Sequence, residues 1–321
     1  MEFTRRSFGL AAAGAALLPV LPAGAKEAPA GAQAPGIYRL KVGAFEVTVL
    51  NDGSAALPTK YFSGDAEGAG KLLDNAFVAN KEMAPTTFNE WLINTGDKLI
   101  LVDTGYSNAV GPVAGKLPKV LAAAGVNPAD IDAVVITHIH PDHCNGLLTT
   151  DKQIAFPNAT VRVNGDEFAW WLEGDVKIPE GKPFFKDLFE GGRAVFKPFV
   201  DGKRVQTFKD GAELAPGVTA VTAPGHTVGH TMVRIANGDG QLLIWTGIVH
   251  STALQFPEPE RSIAHDLEPP KAIATRKKVM DMAATDRLLI AGTHIGFPGV
   301  GHVAKASSGY AFVPVPWNAN L

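Results

Sequence analysis

Apolar and polar positions alternate through Tyr38-Arg39-Leu40-Lys41-Val42 and again through Phe45-Glu46-Val47-Thr48-Val49-Leu50, which predicts two strands with one buried face. Phe88 to Ile93 and Leu99 to Val102 read as two further strands joined by a turn at Thr95-Gly96-Asp97-Lys98. The spacing becomes helical from Val113 to Ala124 and stops at Gly125, a residue suited to the position after a helix. Pro128-Ala129-Asp130-Ile131 then leads into Ala133-Val134-Val135-Ile136, a short apolar run of the kind a buried strand shows.

The second half repeats the style. Val161-Arg162-Val163 reads as a strand, Gly165 to Leu172 as a helix, and Val218 to Val221 as a strand ending at Pro224-Gly225-His226. Thr231 to Ile235 and Leu242 to Trp245 predict a hairpin around Asn237-Gly238-Asp239-Gly240. Pro270 to Ala284 is the longest helix candidate, and Arg287 to Ala291 reads as a strand leading to Thr293-His294. Strands and helices alternate without a break in composition. This predicts one α/β domain of two similar halves, with sheets packed on each other and helices outside.

Composition narrows the class. With 46% apolar and 19% charged residues over 321 positions, the chain is globular and long enough for a substantial core. A formal net charge of -3 gives no electrostatic case for nucleic acid or an anionic membrane, so a small molecule is the expected partner. Arg5-Arg6 followed by an apolar stretch and Ala23-Gly24-Ala25 reads as a twin-arginine signal peptide over residues 1–25. A short membrane anchor is the alternative, but the stretch falls short of the ~20 apolar residues a span needs. Residues 26–36 then form a linker and 37–321 the domain, placed in the periplasm or secreted, without membrane attachment after cleavage. The single cysteine, Cys144, excludes an internal disulfide.

Chemistry concentrates in Thr137-His138-Ile139-His140-Pro141-Asp142-His143, directly after the buried strand. Neutral imidazoles and carboxylates are the donors that zinc and related divalent ions prefer. His138 and His140 sit two apart in a loop that can wrap one ion, while Asp142 and His143 point toward a second position.

The pattern His138-x-His140-x-Asp142-His143 resembles the metallo-β-lactamase fold superfamily. Leu101-Val102-Asp103-Thr104-Gly105 upstream, Ala223-Pro224-Gly225-His226-Thr227 downstream and Gly292-Thr293-His294 near the end agree with it. Phe297 to His302, Trp245 to His250 and Leu254-Gln255-Phe256 look most like its methyl parathion hydrolase branch. The resemblance implies an αββα sandwich of two mixed sheets, one or two zinc or other divalent ions, and a homodimer. It assigns His138, His140 and His226 to a first metal, and Asp142, His143 and His294 to a second. Asp103 would stand behind the site as acceptor for a ligating imidazole, a turn-forming aspartate being the plainer alternative.

The chain departs from that pattern at Gly247. A Gly-Asp pair normally follows this strand in the branch, and its aspartate bridges both metals. Here Thr246 takes the glycine's place and Gly247 the aspartate's, so no carboxylate is available. The expectation is a second position that binds more weakly. His250, three residues on, would stand behind the ligands or face substrate, with a structural loop histidine as the alternative. His230, His265 and His302 are assigned to structure or surface, and Cys144 to packing.

The expected reaction is hydrolysis of an ester, lactone or organophosphate, with Asp142 orienting or deprotonating the attacking water. Trp170, Trp171, Phe184 and Phe185, with Phe189, form an aromatic cluster in a stretch read as irregular. They are expected either to line an apolar substrate pocket or to form a local core. Two competing readings are a metal-binding protein of the same fold with lost hydrolysis, and a mononuclear iron oxidoreductase.

Overall fold

The two alternating segments at the start pair as an antiparallel ribbon, β1 (Ile37–Val42) with β2 (Phe45–Pro58), in a computed structural model that describes residues 30–107, 113–176 and 178–321. The expected signal peptide and the first linker residues lie outside those described. The unit from Pro35 to Leu321 holds two seven-stranded sheets among the described residues.

The first sheet runs β1 to β7 in sequence order. It continues with β3 (Met83–Asn94), β4 (Leu99–Val102), β5 (Ala133–Ile136), β6 (Thr160–Asn164) and β7 (Val205–Phe208). Its first four strands are antiparallel; from β4 onward the pairing is parallel. The second sheet comprises β8 (Glu213–Ala215), β9 (Val218–Thr222), β10 (Thr231–Asn237), β11 (Gly240–Ile244), β12 (Ile290–Ala291), β13 (Val300–Lys305) and β14 (Tyr310–Pro314). Only β11 and β12 pair in parallel there.

Alternation decides which face each residue buries. Val47, Val49, Trp91, Ile93, Ile100 and Val102 from one sheet meet Val218, Ala220, Val233, Ile235 and Ile244 from the other in a shared core. Outside the sheets lie α1 (Ala66–Asn75), α2 (Leu117–Ala123), α3 (Pro141–Cys144), α4 (Gly165–Leu172), α5 (Phe185–Asp201) and α6 (Thr252–Gln255), of which α2, α4 and α5 cover the opposite face of the first sheet. The opposite face of the second sheet is covered by α7 (Pro269–Thr285). The result is an αββα sandwich of two mixed sheets with helices outside, as expected.

One segment corrects the sequence reading. The stretch around Phe184 to Phe189 is not irregular: it opens α5, a helix of 17 residues that tolerates Gly191, Gly192 and Pro198. Phe185, Phe189, Phe196 and Phe199 fall on one helical stripe, and all four are fully buried. Burial of that stripe outweighs the weak intrinsic propensity of its glycines. Smaller differences are that β2 extends to Pro58 and that only Ile290 and Ala291 of the Arg287–Ala291 segment pair as strand.

Candidate metal centre

Strand polarity gathers the chemistry at one edge. β4 ends at Val102 and hands on to Asp103; β5 ends at Ile136 and delivers Thr137 to His143; β6 leads into α4. From the second sheet, β9 runs out to His226, β11 to Trp245–His250 and β12 to Thr293-His294. Loops beyond the carboxyl ends of parallel strands are where such sheets build their sites. The turn of Pro141–Cys144 then aims Asp142 and His143 back at the loop that carries His138 and His140.

Two groups of donors result. His138, His140 and His226 bring ligand atoms within 4.8 Å of one another, and so do Asp142, His143 and His294. His140 Nδ1 faces His226 Nε2 at 3.1 Å, while Asp142 Oδ2 lies 3.4 Å from His143 Nε2 and 3.6 Å from His294 Nε2.

The opposite nitrogens explain why these atoms are free. His143 Nδ1 donates to Asp103 at 2.7 Å, His226 Nδ1 to Asp266 at 2.8 Å and His294 Nδ1 to the Thr87 carbonyl at 3.1 Å. His138 Nδ1 donates to Thr137 Oγ1 at 3.1 Å, and that hydroxyl passes its own proton to Asp103 at 2.8 Å. These acceptors hold the Nδ1 protons, so Nε2 is the nitrogen each imidazole turns to the site; on His143 it carries a proton too in the metal-free chain. His138 and His294, both held neutral, leave Nε2 buried without a hydrogen-bond partner among the described residues. An orphaned buried lone pair costs free energy unless something binds it, and a divalent ion fits this donor set.

Protonation follows from burial and neighbours. Burial, then mutual proximity, hold His138, His140 and His226 neutral, well below the ordinary histidine range. Burial opposes charge on Asp142 too, but His143 and His294 outweigh it and keep the carboxyl ionised. Burial likewise opposes charge on His143; Asp142 and Asp103 overcome that and raise it to about 10 in the metal-free chain.

A family profile described as Metallo-beta-lactamase superfamily matches residues 89–294. The chain belongs to the metallo-beta-lactamase superfamily. A crystal structure of the superfamily hydrolase AbOPH superposes with a TM-score of 0.83 at 31% identity, covering 89% of this chain and 100% of that one. AidC, a dizinc quorum-quenching lactonase solved with the product N-hexnoyl-L-homoserine, gives a TM-score of 0.83 at 25% identity, covering 88% and 99%. Among curated proteins, the N-acyl homoserine lactonase AttM of Agrobacterium fabrum is 30% identical over 132 residues, 38% of this chain and 43% of that protein. The chain spans about half the length or less of such curated relatives, 48% and 43% for two of them.

Within this metallo-beta-lactamase fold, Gly247 stands against the three-histidine group. A Cβ there would fall 3.1 Å from His138 Cε1 and 3.3 Å from both His226 Cδ2 and His230 Nε2. Its φ of -78° suits any residue, so the backbone does not demand glycine. Thr246 holds the left-handed conformation instead, at φ 48°, an unusual place for a β-branched residue. Its hydroxyl lies 2.9 Å from His230 Nε2. His230, assigned to structure or surface, is fully buried beside the site and held by that hydrogen bond.

His250 borders both groups, its ring 4.6 Å from His226 and stacked on His294 at 4.7 Å, yet it belongs to neither donor set. A cavity of about 100 Å³ opens over the donors, lined by Phe88, Tyr106, Leu188, Ile263 and the histidines 250 and 265. His265, assigned to structure or surface from sequence, thus faces this cavity. His302 is exposed, and Cys144 is packed in the core.

The aromatic pair-of-pairs lies elsewhere. Trp171 and Phe185 are fully buried, Trp170 and Phe184 pack half-buried against the same core, and none of the four lines the cavity. Trp171 meets the donors at the edge of His140, 5.6 Å between ring centres. Sequence reasoning also passed over Asp266, which orients His226 and is itself paired with buried Arg276 at 3.5 Å.

Proposed function

We propose that this chain is a metal-dependent hydrolase of esters, lactones or organophosphates. The observation that carries the reading is the pair of donor groups whose ligand atoms converge while an oxygen acceptor fixes the opposite nitrogen of four imidazoles. When bound, zinc or a related divalent ion lowers the pKa of water toward neutrality and polarises the oxygen of a carbonyl or phosphoryl group. His138, His140 and His226 would hold one ion, and Asp142, His143 and His294 a second. Asp142, ionised and among the residues lining the cavity, would also orient the attacking water. The apolar wall of Phe88, Leu188 and Ile263 suits an apolar acyl or aryl group.

The lactonase and hydrolase similarities support carboxylic ester and lactone substrates; the motifs Phe297 to His302 and Trp245 to His250 support the methyl parathion hydrolase-like branch. Export by the twin-arginine route is part of the reading, resting on Arg5-Arg6 and Ala23-Gly24-Ala25. Gly247 favours one variation, in which a single ion is held firmly and the other exchanges.

The test is hydrolysis of phenyl acetate, an N-acyl homoserine lactone and an aryl phosphotriester by protein of measured metal content, before and after chelation. Turnover of at least one, abolished by chelator and restored by zinc, is expected. Metal-loaded protein inert toward all three, or turnover indifferent to chelation, refutes the proposal.

A further inference from the structure

One carboxylate holds together the two loops that carry the three-histidine group. Glu167, in the first turn of α4, is fully buried. Its Oε1 accepts from the Ile139 N–H at 2.9 Å and its Oε2 from the Gly229 N–H at 2.8 Å. Ile139 lies between His138 and His140, while Gly229 follows His226 by three residues. Both oxygens belong to one planar group, so beyond the Thr231 N–H to Thr137 carbonyl bond at 3.0 Å, the span between the loops at the histidines is set by a single rigid side-chain end.

Packing leaves this arrangement little slack. A Cβ on Gly229 would come within 2.6 Å of Glu167 N and 2.7 Å of Asn164 Oδ1. One on Gly192 of α5 would meet Ile139 Cγ2 at 2.7 Å. The start of α4 is fixed in turn by Asn164, whose Oδ1 accepts from Asp166 N at 2.8 Å. The other group has separate supports, Asp103 behind His143 and Thr87 behind His294.

We propose that Glu167 is the positioning residue of the three-histidine group, setting the gap between the His138–His140 loop and the His226 loop and with it that group's affinity for a divalent ion. The role rests on the metal-dependent reading above. It differs from that of Asp103 and Asp266 because Glu167 touches no imidazole: it acts on backbone, through both loops at once.

The experiment compares wild type, Glu167→Gln and Glu167→Asp. Glutamine keeps the shape but turns one acceptor into a donor facing an N–H, releasing one loop; aspartate keeps both acceptors on a shorter arm. Zinc affinity is measured against a competing chelator, and occupancy of each group by anomalous diffraction at limiting zinc. Glutamine is expected to weaken the three-histidine group about 10- to 100-fold and leave the other group unchanged, with aspartate in between. Phe199→Leu, a core change on α5, serves as a destabilised control that should leave the ratio of occupancies unaltered.

An unaltered ratio in Glu167→Gln, or an equal shift in Phe199→Leu, overturns the assignment. Wild type that binds zinc at neither group sinks the metal reading and this role with it. Wild type that fills both groups, with a glutamine variant that does the same, sinks the Glu167 role alone.

Discussion

Asp103→Asn is the substitution that most directly probes how the site is held ready. Asp103 accepts three hydrogen bonds: Thr137 N–H on Oδ1 at 2.8 Å, and Thr137 Oγ1 at 2.8 Å with His143 Nδ1 at 2.7 Å on Oδ2. Its backbone is left-handed, φ 61°, a conformation asparagine tolerates as well as aspartate, so the fold should survive the change. The amide offers one acceptor and one donor. With its oxygen on Thr137 N–H, its NH2 opposes the His143 proton; flipped, it opposes the backbone N–H. Moving the imidazole proton to Nε2 relieves the clash but blocks the atom that faces Asp142 and His294. The interaction lost is a hydrogen bond to a charged group, net about 1.5–3 kcal/mol. At about 1.4 kcal/mol per factor of ten, that is roughly a 10- to 150-fold loss of metal affinity at the Asp142, His143 and His294 group. Chelator competition on the folded variant reads the loss, with melting of the metal-free protein as the control. Affinity within about threefold of wild type in a folded variant would refute the view that Asp103 sets the imidazole's tautomer.

Three further outcomes follow from the same geometry. Trp171→Ala should cost about 3–5 kcal/mol of stability in denaturant melts, because the indole is fully buried in the helix-covered core; unchanged stability with selective loss of substrate binding would restore it to the pocket. Gly247→Asp should increase the metal retained after dialysis, since φ is ordinary there and His138 and His226 need yield only a few tenths of an ångström; unchanged retention would show that the missing carboxylate is not limiting. In metal-free protein the folded His143 pKa, about 10, stands above the unfolded value of about 6.5, so its pairing stabilises fully below about pH 6.5 and is lost as pH rises toward 10. Stability measured by denaturant should therefore fall from neutral to alkaline pH, and a flat profile would contradict the assignment.

The sandwich was legible because its strands announce themselves locally. Period-two alternation in β1 and β2 and the apolar run of β5 need no partner to be recognised. Donor residues were legible for a similar reason: four of the six occupy one loop, where their density exceeds anything a structural role requires. The aromatic run of α5 misled because glycines and a proline disguised a period that only the buried stripe reveals.

What sequence could not show is the layer behind the donors, because proximity there is created by the fold. Asp266 reaches His226 across 40 residues, Thr87 reaches His294 across 207, and Glu167 reaches Ile139 and Gly229 across 28 and 62. No spacing rule links such pairs; each lies at the end of a different strand or helix that the two sheets bring to one edge. An isolated acidic residue in a loop or first helical turn has many ordinary explanations, including capping and solvation. Only burial separates them, since a fully buried carboxylate must find donors or lose its charge. Asp103, Glu167 and Asp266 each meet that demand with the backbone or imidazoles of the metal loops. The need to satisfy these three carboxylates is thus the same constraint that fixes where the donors point, which is why their removal should be felt in metal affinity before it is felt in the fold.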